Sequence, residues 1–133
     1  MRYNEFIMKK FVINIEEATL ANAYFRKVLY TSQHGQVVLM SLLPGEEIGR
    51  EIHTVTDQFF RFETGQGKVF IDGEEFSVTD GSAVVVPAGA EHNVVNVGET
   101  PLKMYTIYMP PHHVDGTIHT TKADAEADQT DHL

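Results

Sequence analysis

Two stretches of this chain concentrate the side chains that do chemistry. The first runs from Gly45 through Glu51, His53, Asp57 and Gln58 to Gly65, and the second from Gly81 through Pro87, Gly89 and His92 to Asn96. Glu51 and His53 are two residues apart, so on a β-strand both side chains face one side. A carboxylate buried there without a partner is costly, and ligation of a cation removes that cost. Imidazoles with a carboxylate and an amide oxygen suit a borderline divalent ion such as Zn, Fe, Mn, Co or Ni. Other chemistries lack their residues. The chain has no cysteine, which excludes a disulfide framework, a Cys-type zinc site and a thiol nucleophile. No Ser or Thr stands in a nucleophile-elbow context, and no Gly-rich phosphate loop leads into a helix.

Taken together, the two stretches resemble the paired motifs of the cupin superfamily. The second matches at every defined position, Gly81, Pro87, Gly89, His92 and Asn96. The first matches in spacing, with Gly45, positions 51, 53 and 58, and Gly65, and fifteen residues separate the two motifs. The resemblance implies one divalent metal ion held by Glu51, His53, Gln58 and His92. This set departs from the family's usual two His, one Glu and a further His, since Glu51 stands at the first His position and Gln58 at the Glu position. The same residue types, in another order, resemble the zinc site of type I mannose-6-phosphate isomerases, which are also cupins. Asp57 is the rival to Gln58 as third ligand. Its strand parity is opposite, so it points away from the metal unless a bulge reverses the strand.

Phe60 and Phe62 share the parity of Gln58 and either line the cavity or fill the core. Phe59 and Arg61 then point outward, and Phe59 needs cover that a second subunit would give, in line with the dimers the family often forms. Met40, Tyr105, Tyr108 and Arg26 are cavity candidates from other strands, with their parity open. Arg26 alone among them suits gripping a carboxylate or phosphate. His112 and His113, after Pro110-Pro111, read as exposed tail histidines, with a second metal site or a proton shuttle at the barrel mouth as the alternative. His34, His119 and His132 read as loop or tail residues.

The elements that must position these residues are short strands. Runs at Phe11–Ile15, Phe25–Thr31, Gln36–Leu43, Ile48–His53, Gln58–Glu63, Gly67–Ile71, Glu74–Val78, Ala83–Val86, Asn93–Val97 and Leu102–Met109 are separated by turn signals. Asp72-Gly73 between two of them predicts a tight hairpin. The fold class expected is all-β, a cupin barrel of the double-stranded β-helix (jelly-roll) kind, with at most a short C-terminal helix. Residues 1–15 read as an N-terminal extension and strand, a candidate for exchange between protomers. Residues 16–111 read as the barrel and residues 112–133 as a polar C-terminal tail.

The chain's 133 residues fit one domain. A formal net charge of −9 with no densely basic stretch argues against nucleic acid and anionic membrane surfaces as partners. The N-terminus lacks an apolar run long enough for a signal peptide, so a cytoplasmic location is expected. The function expected is metal-dependent work on a small sugar-like or hydroxycarbonyl substrate, of isomerase, epimerase or lyase type, in a homodimer. The alternatives are an Fe-dependent dioxygenase and a non-catalytic module that binds a small ligand or metal.

Overall fold

Period-two alternation of apolar and polar residues builds this molecule, because successive strand residues face opposite sides. The computed structural model describes residues 10–131, so the first nine residues of the expected extension and the last two of the tail lie outside it. The described strands are β1 (Arg26–Thr31), β2 (Gln36–Leu42), β3 (Glu51–Ile52), β4 (Asp57–Thr64), β5 (Gln66–Ile71), β6 (Glu74–Thr79), β7 (Ala83–Val86), β8 (Glu91–Asn96), β9 (Leu102–Met109) and β10 (Ile118–His119). They form two antiparallel sheets, one ordered β10-β1-β2-β9-β4-β7 and the other β3-β8-β5-β6. Val69, Val78 and Val94 of the smaller sheet share a core with Val38, Met40, Phe60, Phe62, Leu102 and Met104 of the larger. This is the expected jelly roll.

Register sorts the interior by chemistry. Across β2, β9 and β4, Met40 pairs with Met104 and Met104 with Phe62, an apolar rung. The next rung is Val38, Thr106 and Phe60, and the one beyond is Gln36, Tyr108 and Gln58. One end of the barrel is therefore an apolar floor and the other a polar mouth.

Two turns fix the corners. Asp72 and Gly73 both adopt positive φ, 47° and 84°, and close Ile71 onto Glu74 in a two-residue hairpin. Gly65, at φ 99°, joins β4 to β5 so close to β9 that an added Cβ would lie 2.8 Å from the Leu102 Cα.

Three expectations need correction. Phe11–Ile15 is not a strand; helix α1 (Ile15–Ala21) starts there, with the Asn14 side chain accepting from the Glu17 N–H at 3.0 Å. An N-cap Asn followed by Glu16 and Glu17 in the first turn is a helix start, and it overrides the short apolar run. The helix packs on the outer face of the larger sheet, where Lys103 Nζ donates to the Leu20 carbonyl. The run expected at Ile48–His53 pairs only at Glu51 and Ile52, apart from a bridge between Glu47 and Val95. Gly49, at φ 110°, interrupts it. Finally, the polar segment after Pro111 carries a short strand as well as the short C-terminal helix expected there. β10 pairs with β1, and helix α2 (Lys122–Ala127) is closed by a capping box between Thr121 and Asp124. Among the described residues no helix is long and apolar enough to cross a membrane.

Candidate metal centre

The two motif segments meet at the polar end of the barrel. β3 pairs with β8 so that Glu51 lies directly opposite His92, and opposed residues of an antiparallel pair share a face. His53 follows two residues on, and its carbonyl accepts from the Gly89 N–H at 2.8 Å, tying one motif to the other. Glu51, His53 and His92 each offer one ligand atom, all within 4.8 Å of one another. The two rings are 5.1 Å apart between centroids, and both histidines are buried.

The protonation states suit a cation. His92 Nδ1 faces the Ala90 carbonyl at 3.3 Å, which assigns the proton to Nδ1 and leaves the Nε2 lone pair free. Burial first, then His92, His113 and Arg26, push His53 down to about 4, so its ring is neutral at physiological pH. His53 Nε2 lies 3.5 Å from Glu51 Oε2 yet forms no hydrogen bond, and it is buried.

Gln58 is buried in the polar rung, and its Nε2 donates to Thr106 Oγ1 at 2.9 Å. That leaves Oε1 buried with no partner among the described residues. Asp57 is exposed and faces away, accepting from the Ala88 N–H at 2.8 Å. The bulge in β4 lies between Phe62 and Thr64, beyond both residues, so it leaves their parity unchanged. Buried polar groups normally find partners, and two orphaned atoms in one polar end, beside a carboxylate and an imidazole, are what a divalent ion would satisfy.

The other candidates separate. Phe60 is fully buried with its ring 6.3 Å from His92, while Phe62 and Met40 lie a rung deeper in the apolar floor. Tyr108 points inward, 5.9 Å from His53 between ring centroids. Tyr105, three residues earlier on β9, faces the opposite side and packs against Phe59 at 6.2 Å, so it does not line the cavity. Arg61 also faces out, paired with Glu63 at 3.2 Å. Arg26 is buried on the inner face of β1.

His112 and His113 depart from the reading as exposed tail residues. Gln36 Oε1 accepts from both their backbone N–H groups, at 3.1 and 2.9 Å, and its Nε2 donates to the His113 carbonyl at 2.8 Å. The His112 ring then sits 4.3 Å from His53 and stacks on Tyr108 at 5.4 Å. His113 Nε2 meets the Tyr108 hydroxyl at 3.1 Å, and its Nδ1 meets Asp131 at 2.7 Å. Burial raises the Tyr108 phenol well above its ordinary value, so it stays protonated. His119 is buried too, paired with Asp128 at 2.9 Å. The one sequence signal for this arrangement is Gln36, a polar residue opening a mostly apolar strand.

Comparison with known proteins gives the family. The cupin domain matches residues 38–108. The uncharacterized protein YrkC of Bacillus subtilis is 55% identical over 125 residues, covering 90% of this chain and 67% of that protein. Protein L612 of Acanthamoeba polyphaga mimivirus is 43% identical over 113 residues, covering 81% of this chain and 70% of that protein. The crystal structure of BH2720 from Bacillus halodurans has a TM-score of 0.89 and 48% identity, covering 90% of this chain and 96% of that one. On motif, barrel and sequence alike, this chain belongs to the cupin family.

Proposed function

We propose that this cupin holds one divalent metal ion through Glu51, His53, Gln58 and His92 and acts on a small hydroxycarbonyl or sugar-like substrate, by isomerisation, epimerisation or elimination. The observation that carries the reading is the pair of orphaned buried atoms, His53 Nε2 and Gln58 Oε1, beside Glu51 and His92. When bound, such an ion supplies Lewis acidity to a substrate oxygen. The chain's own residues supply shape and orientation. Phe60 walls the site on its apolar side, and His112 stands at the mouth. The Tyr108 hydroxyl donates to His113, which fixes its orientation at the polar end of the barrel.

Elemental analysis and metal titration test this reading. Near-stoichiometric Zn, Mn, Fe, Co or Ni is expected. His53→Ala and His92→Ala are each expected to weaken binding by at least about 100-fold, beyond the usual cost of losing a ligand's supporting contacts. Unchanged affinity in both variants would sink the metal centre. Turnover is then sought among uronates and sugar phosphates. A substrate-dependent rise in melting temperature without turnover would instead favour a binding module.

We further propose that two copies pair through the outer face of the larger sheet. Phe11, Val12, Ile13, Val37, Tyr105 and Ile107 line an apolar groove there, and Val12 is 97% exposed.

A further inference from the structure

Arg26 is the one Lys or Arg in the buried set of the described residues. It enters from β1 on the inner face, level with Met40. No carboxylate among the described residues forms an ion pair with it. Its Nε is buried without a hydrogen-bond partner.

The side chain is nonetheless held in place. One terminal guanidinium nitrogen meets His119 Nδ1 at 3.3 Å. A guanidinium only donates, so His119 Nδ1 accepts and the ring's Nε2–H donates to Asp128 at 2.9 Å. The guanidinium carbon also lies 5.3 Å over the Phe25 ring. The imidazole passes on orientation without cancelling charge, because it stands between the carboxylate and the guanidinium. A buried cation with no directly paired carboxylate costs the fold stability, and an anionic ligand removes that cost. Arg26 shares the inner face of the larger sheet with Met40 and Gln36, and Gln36 is in register with Tyr108 and Gln58 of the polar end. Tyr108 is braced in the same manner, by His113 and Asp131.

We propose that Arg26 binds a substrate carboxylate, so that the ligand of this cupin is a small carboxylic acid with a further hydroxyl or carbonyl oxygen directed at the metal centre. The second half rests on the metal reading above; the Arg26 contact does not. A planar guanidinium fork matches a carboxylate, and one positive charge balances one negative charge. A phosphate dianion calls for a second cation, and the buried set of described residues supplies none. Hydroxy acids and uronates are therefore favoured over sugar phosphates.

The test is calorimetric titration of cobalt-loaded and metal-free protein with glycolate, and separately with inorganic phosphate. The Arg26 Nε–H resonance is followed by NMR in the wild-type chain, which needs no variant to fold. Glycolate is expected to bind and move that resonance. Arg26→Gln is expected to weaken glycolate at least about tenfold while leaving cobalt stoichiometry unchanged, and Arg26→Lys to fall between the two. An unmoved resonance, glycolate affinity equal in Arg26→Gln and wild type, or phosphate binding at Arg26 more tightly than glycolate would overturn the proposal. Failure to take up cobalt would remove the metal reading alone, because the resonance in metal-free protein still decides the Arg26 contact.

Discussion

The amide of Gln58 donates inward to Thr106, while the carboxylate of Asp57 accepts from the Ala88 N–H on the other side of β4. Their substitutions should therefore separate. Asp57→Ala removes one hydrogen bond at an exposed turn and is expected to cost about 0.5–1.5 kcal/mol, with metal affinity unchanged. Gln58→Glu places a carboxylate where the unpartnered amide oxygen now sits. Without metal it is expected to lower stability by about 1–3 kcal/mol, and metal loading should restore the difference. Denaturant unfolding with and without Zn reads both. Loss of metal in Asp57→Ala, or a Gln58→Glu variant indifferent to metal, would move the ligand assignment off Gln58.

At the scale of elements, alternation made the barrel legible. Ala83–Val86 and Leu102–Met109 fall where their runs predict, because each is a short apolar-rich run bounded by turn residues. Phe11–Ile15 misled because five apolar-rich residues do not distinguish a strand from a lead-in to a helix, and the Asn14 cap decides. The placement of His112 was out of reach. It depends on Gln36, 76 residues away, and no local spacing encodes that contact. The glycine corners were readable, and Gly65 is the most constrained of them. Gly65→Ala is expected to cost about 1–2 kcal/mol for the left-handed backbone and a further ~1–3 kcal/mol for the clash with Leu102. Chemical denaturation measures the sum; a cost below about 1 kcal/mol would show that β9 yields easily.

At the scale of the whole molecule, the two faces of the larger sheet have different fates. The inner face closes over the polar mouth, whereas the outer face carries α1 and an apolar groove. If two copies meet there, sedimentation velocity should give a dimer at micromolar concentration, and Tyr105→Glu with Ile107→Glu should shift it to monomer. The substituted side chains face away from the metal centre, so metal stoichiometry is expected to stay constant. A wild-type monomer at that concentration would leave the groove without this occupant.

β3 is two residues long and lies at the edge of the smaller sheet. It nevertheless carries Glu51 and leads directly into His53, so half of the proposed ligands hang on a strand paired at only two residues. Strands with few paired hydrogen bonds are the first to open in local fluctuations. If the proposed ion binds, its dwell time would follow how often a two-residue strand lets go of β8, and a tight site could still exchange its metal on the clock of that small door.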